Sequence, residues 1–134
     1  MKLIEAKNIS YKINDRNILN NISFVIDFGE LVKISGDNGS GKTTLVRLLL
    51  RFHDPLEGRV TMDGHDVREL RLGSLRGAIS LVSQTTTLFP GTVRDNVLYG
   101  RPEASEEEVV EAARIAEAIG FIDELPEGWE TNIG

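Results

Sequence analysis

The sequence predicts an α/β fold with mainly parallel core strands and an antiparallel N-terminal β part. Three observations carry this. A short apolar segment, residues 31–35 (LVKIS), runs straight into a glycine-rich loop and then into an apolar run at helical spacing. Strand-like and helix-like patterns alternate from there onward, and the first 30 residues read as a hairpin.

Taken in order, residues 3–10 mix apolar and polar side chains with a period of two. Residues 18–28 repeat the pattern after the turn-rich NDRN of residues 14–17. Residues 31–35 make a buried strand. The loop follows, then a helix over 42–52 with Leu45, Leu48 and Leu49 on one face, closed by His53, Asp54 and Pro55. Residues 58–62 form a strand that turns at Asp63-Gly64 and continues briefly over 65–67, because Asp-Gly tolerates positive φ. A short helix is expected over 67–72, broken by Gly73 and Ser74, and a second buried strand over 78–83 (AISLVS), ending at Gln84. Residues 92–98 suit a short helix. Ser105 with Glu108 makes a capping box for a helix over 106–119, with Val109, Ala112, Ala113 and Ala116 on its apolar face. Trp129 has the character of a core residue whose core is incomplete. The organisation expected is an antiparallel β part over 1–30, a core over 31–100 and the start of a helical subdomain over 101–134.

Composition bounds the function. With 134 residues, 40% of them hydrophobic, the chain has the make-up of one domain or a large piece of one. A net charge of -6 with scattered basic residues argues against nucleic acid as a partner. Without cysteine there is no disulfide, thiolate metal site or thiol nucleophile, which fits a cytoplasmic location. No apolar run approaches the roughly 18 residues that span a bilayer, so any membrane belongs to a partner. All five lysines (Lys2, Lys7, Lys12, Lys33, Lys42) lie at or before the loop, while nine of the ten arginines lie from Arg47 onward. This asymmetry suggests either a chimera joined near the loop or chance in an acidic, lysine-poor second half.

The loop GDNGSGKT, residues 36–43, satisfies G-x-x-x-x-G-K-[ST] between a strand and a helix, the context that gives this pattern its meaning. Consecutive backbone amides curl around a phosphate only where several residues adopt conformations closed to most side chains. Gly36, Gly39 and Gly41 allow this, with Asn38 and Ser40 between them. A helix starting at about Lys42 adds unpaired amides and the positive end of its dipole. Lys42 then supplies a charge for the β- and γ-phosphates, Thr43 a hydroxyl for Mg²⁺, and Thr44 a donor near the α-phosphate. Tyr11 either stacks on an adenine or packs half-buried. Gln84 either reaches a metal or water or is merely solvated. His53 and His65, isolated from other ligands, read as surface or packing residues, and Glu106, Glu107 and Glu108 as a complement to a helix dipole.

With these residues in order, the chain resembles the nucleotide-binding domain of ATP-binding cassette (ABC) transporters over essentially its whole length. Tyr11 matches the adenine-stacking aromatic, residues 20–50 the strand through the phosphate loop, and residues 79–100 the glutamine loop and its following segment. Residues 60–134 look exporter-like and the first 45 more generic. The resemblance implies a P-loop NTPase fold. It implies ATP held by Tyr11, the loop residues Gly36, Asn38, Gly39, Ser40, Gly41, Lys42, Thr43 and Thr44, and Gln84, with Mg²⁺ at Thr43 and Gln84. It also implies a transmembrane partner received near Leu88, Phe89 and Pro90, and head-to-tail dimerisation around two ATP molecules.

The chain departs from the family pattern in lacking the LSGGQ-type signature, the apolar strand ending in Asp with the catalytic Glu, and the switch histidine. Nucleotide binding without significant turnover is therefore expected. Because the missing strand lies beside the phosphate-loop strand in the family's sheet, uncovered apolar edges and a marginal or self-associating monomer are expected too. The alternative reading is a non-catalytic nucleotide-binding or scaffold fragment that self-associates. A small nucleotide kinase would use the same loop but needs lid arginines and an acceptor site.

Overall fold

The computed structural model describes residues 2–83, 85 and 87–134, which divide between Leu81 and Val82 into two compact units. In the first, β1 (Lys2–Ile13) and β2 (Arg16–Asp27) form the expected hairpin. Its turn is two residues, Asn14 and Asp15, both left-handed (φ 47° and 62°), the geometry that matches the twist of the flanking strands. On its other edge β1 pairs with β3 (Glu57–Met62), which turns through Asp63 and Gly64 into β4 (His65–Asp66). The sheet order is β2-β1-β3-β4, antiparallel throughout.

Ile4 and Ala6 face the core from alternate positions of β1, and Ile9 joins them three residues later. That odd step needs an extra residue. Asn8 supplies it, left-handed at φ 50° between the register shifts that interrupt both of β1's ladders, so the bulge returns Ile9 to the buried face. Leu19, Val60, Val67 and the helical residues Leu48, Leu49 and Leu75 complete this core.

The parallel core is corrected by the structure. Residues 31–35 and 78–83 form no strand, and Leu31 and Val82 are 94% and 91% exposed. Apolar content makes a segment suited to a buried strand, but only hydrogen-bonding neighbours make it one. Among the described residues all strand pairing is antiparallel and lies within β1–β4, apart from one isolated antiparallel bridge between Thr92 and Asn132.

The helices differ at their ends. The first, α1 (Lys42–Leu49), stops earlier than its apolar pattern because Arg51 turns left-handed at φ 52°. Instead of one helix over 67–72, a 3₁₀ turn (Val67–Glu69) precedes α2 (Leu72–Gly77), which runs through Gly73 and Ser74, the expected breakers. Its buried Leu75 outweighs their weak propensity.

Asp66 caps the 3₁₀ turn by accepting from the Arg68 amide at 2.9 Å, and the Arg68 guanidinium donates to both its carboxylate oxygens (2.9 and 2.6 Å). The side-chain bond from Arg68 is the main cause holding this carboxyl below the usual range, against a smaller opposing effect of burial. A carboxyl with a depressed folded pKa stabilises the folded state above its unfolded pKa, and that stability is lost as pH falls through the folded value. Asp66→Ala is therefore expected to cost about 1 kcal/mol at neutral pH. Urea midpoints of the two proteins should converge as the pH drops below about 4; a gap independent of pH would contradict this reading.

In the second unit, α3 (Val93–Leu98) starts from a capping box: Thr92 Oγ1 accepts from the Asp95 amide (3.1 Å) and Asp95 accepts from the Thr92 amide (2.9 Å). That backbone bond holds the Asp95 carboxyl below its ordinary range. The Ser105–Glu108 box opens α4 (Glu106–Ile115) as expected. The single helix expected over 106–119 is instead two, because Glu117 is left-handed at φ 55° and α5 (Ile119–Asp123) begins anew. Of the expected apolar face, Val109 and Ala113 are buried and Ala112 and Ala116 exposed. Trp129 has a core after all, packing on Val93, Ala113 and Ile122. Arg94 ties α3 to α4 through Glu106 and to Glu130 at 2.9 Å.

Candidate nucleotide-binding site

The glycine-rich loop opens directly into α1 as the motif requires, although residues 31–35 before it form no strand. Gly36, Gly39 and Gly41 all have positive φ (151°, 80° and 92°). Gly41 is the N-cap of α1, and a Cβ there would lie 2.9 Å from Leu19 Cδ2 and 3.0 Å from the Ile18 carbonyl oxygen. No larger residue fits without moving β2. The first helical bond is from the Leu45 amide to the Gly41 carbonyl (2.9 Å), so the amides of Lys42, Thr43 and Thr44 have no acceptor among the described residues. No side chain caps this end and no acidic residue stands in its first turn. The helix start therefore offers donors and partial positive charge with nothing of opposite sign built in to satisfy them.

Lys42 reaches back over the loop. Its Nζ donates to the Gly36 carbonyl and to the Asp37 carbonyl (2.7 Å), closing a ring around the loop, while Ser40 N donates to Asp37 O at 3.2 Å. Asn38, Gly39, Ser40 and Thr43 are exposed, Lys42 and Thr44 partly so. These residues fit a polyphosphate, since the cradle has the donors and charge for one and excludes side chains at Gly41. Thr43 presents its hydroxyl side chain to solvent at the helix start, a donor type suited to Mg²⁺. Among the described residues no group of three His, Cys, Asp or Glu is arranged to hold a metal alone, so an ion here would depend on phosphate oxygens as well. Gln84 lies outside the described residues.

Tyr11 is near this cradle through the sheet. It pairs in register with Leu19, the residue whose methyl bounds Gly41, so an aromatic ring and the phosphate loop flank the same point of β2. Tyr11 is half-buried against the core and its ring lies 5.8 Å from that of His53, tilted by 31°. In the sequence His53 has no ligand-forming neighbour and reads as a surface or packing residue. Its proximity to Tyr11 arises from a contact across more than 40 residues, for which no local pattern exists. His65 stands in β4.

A glycine-rich loop that opens a helix, with its lysine folded back over it, is the arrangement of the P-loop class of nucleotide-binding proteins. The family model described as ABC transporter matches residues 19–132, and the chain belongs to that family, as part of an exporter-type ATP-binding domain. It is 50% identical over 131 residues to the ATP-dependent lipid A-core flippase of Syntrophus aciditrophicus, covering 98% of this chain and 22% of that protein. A multidrug export ATP-binding/permease protein of Staphylococcus aureus is 44% identical over 133 residues, with 98% of this chain and 23% of that one covered. The structure of a bacterial Atm1-family ABC exporter with ATP bound superposes with a TM-score of 0.87 at 41% identity, over 99% of this chain and 23% of the exporter. The chain thus spans less than a quarter of the length of these relatives. Each match covers 98% of the chain, both sides of the lysine-to-arginine boundary included, and neither supports a chimeric junction there. Among the described residues no helix is long and apolar enough to cross a membrane.

Proposed function

We propose that this chain binds Mg-ATP through Gly36, Asn38, Gly39, Ser40, Gly41, Lys42, Thr43 and Thr44, with Tyr11 as the base platform and Gln84 as a further contact to the metal. The observation that carries this is the closure of Lys42 onto the Gly36 and Asp37 carbonyls over a helix start whose amides lack acceptors. Such a loop is assembled before the ligand arrives, so little of the binding energy is lost to ordering it. That the similar exporter was solved with ATP bound favours ATP as the nucleotide. In the complete protein, ATP hydrolysis would drive export through a membrane-spanning part, with two nucleotide-binding domains acting as a pair. For these 134 residues the proposed activity is binding without significant turnover. Phosphoryl transfer depends on positioning groups that this sequence does not supply.

Titration of the purified chain with a fluorescent ATP analogue, with and without Mg²⁺, tests the proposal. Saturable binding weakened by chelator is expected. Its absence in a folded sample would overturn the assignment, and steady-state hydrolysis above that of Lys42→Ala would overturn the absence of turnover.

A second reading, self-association, is favoured by the unpaired apolar segments that leave Leu31 and Val82 in solvent. Sedimentation over about a hundredfold range of concentration should show mass rising with concentration. A constant monomer mass would remove this reading.

A further inference from the structure

We propose that His53 is a positioning residue for the base platform, holding the Tyr11 ring where a nucleoside base stacks. The inference rests on the proposed nucleotide site and deepens it. Tyr11 occupies an insecure place in β1, because the ladder to β2 shifts register on both sides of it, between Ile9 and Tyr11 and between Tyr11 and Lys12. Backbone pairing there does not by itself fix the direction of the ring. The core supports one side, and a second restraint has to come from outside the ladder.

His53 supplies it from a backbone tied at both ends. Upstream, Arg51 reverses the chain and the Phe52 amide donates to the Arg47 carbonyl at 2.7 Å. Arg76 Nε donates to the Leu50 carbonyl at 3.1 Å, and its guanidinium lies 4.3 Å above the Phe52 ring. Arg51 donates to the Leu70 carbonyl (3.3 Å) and pairs with Asp54 at 3.6 Å. Downstream, the Leu56 amide donates to the carbonyl of Ser10, the residue next to Tyr11. His53 is thereby held in register with its target. The ring separation of 5.8 Å and tilt of 31° fall within the range where aromatic pairs attract. Because α1 begins at the phosphate cradle and leads into this segment, one short element positions both halves of the proposed site.

The test compares Mg-ATP with inorganic triphosphate, which has no base to stack, by equilibrium binding to the whole chain. Relative to wild type, His53→Ala should weaken ATP by about threefold to tenfold while leaving triphosphate unchanged. His53→Phe should restore ATP affinity, and His53→Ala should add nothing in a Tyr11→Ala background. If His53→Ala fails to fold, His53→Gln, which keeps polarity and bulk without the ring, takes its place. Unchanged ATP affinity, equal weakening of both ligands, or failure of a folded His53→Phe to restore would each overturn the inference alone. A wild type that binds neither ligand overturns the proposed function, and this inference with it.

Discussion

Lys42→Ala is expected to weaken Mg-ATP binding at least about tenfold, and by up to about a hundredfold. Two losses combine. The ammonium is the positive side chain built into the cradle, so its removal deletes a charge-assisted contact to a polyphosphate. It also bridges the Gly36 and Asp37 carbonyls, so the loop loses the clasp that holds it in shape before the ligand arrives. Lys42→Arg should not rescue. A planar fork cannot replace a compact point charge that must satisfy two converging carbonyls and a phosphate at once. Fold stability should change little, because residues 31–40 are all exposed and the buried residues of α1 are Leu48 and Leu49. The check is a binding titration of wild type and both variants beside their urea unfolding curves. Folded Lys42→Ala that keeps affinity within about twofold would remove the central support for the nucleotide site.

That loop was legible in the sequence because its chemistry is local. The glycines, the lysine and the helix start lie within nine residues, and so do both turns built on left-handed pairs, Asn14-Asp15 and Asp63-Gly64, and the Ser105–Glu108 cap. What could not be read falls into two kinds. Helix ends at Arg51 and Glu117 adopt left-handed conformations without glycine, so composition gives no sign of where the apolar period is interrupted. Pairing is the other kind. Residues 31–35 and 78–83 have the apolar content of buried strands, yet strand formation depends on neighbours that pattern cannot name. The contact of His53 with Tyr11 has the same origin, since it follows from the register of β3 on β1 and from the turn after α1.

Gly58→Ala is expected to destabilise the first unit by about 3–5 kcal/mol, although Gly58 itself is exposed and lies outside the phosphate loop. Gly58 has φ 79°, and a Cβ there would overlap the carbonyl oxygens of Lys7 and Asn8 and come within 2.5 Å of the Asn8 carbonyl carbon. These are backbone atoms of the β1 bulge, not ends of flexible side chains. Relief would require moving the bulge, and the bulge is what turns Ile9 onto the face of Ile4 and Ala6. The methyl group therefore opposes the core and the register together. Gly64→Ala separates the two contributions. Gly64 has a similar φ of 82° but nothing within 4 Å of its added Cβ, so it should show the conformational cost alone, about 1–2 kcal/mol. Far-UV circular dichroism in urea is the suitable probe, because the only tryptophan, Trp129, lies in the other unit. Equal midpoints for the two variants would mean that β1 yields at the bulge without losing its core. If Gly58→Ala unfolds far earlier, the close approach of β3 to the bulge is a principal constraint on the strand that carries Tyr11. Base binding should then fail in that variant along the same curve as the fold, distinguishing it from His53→Ala, where binding weakens in a chain that remains folded.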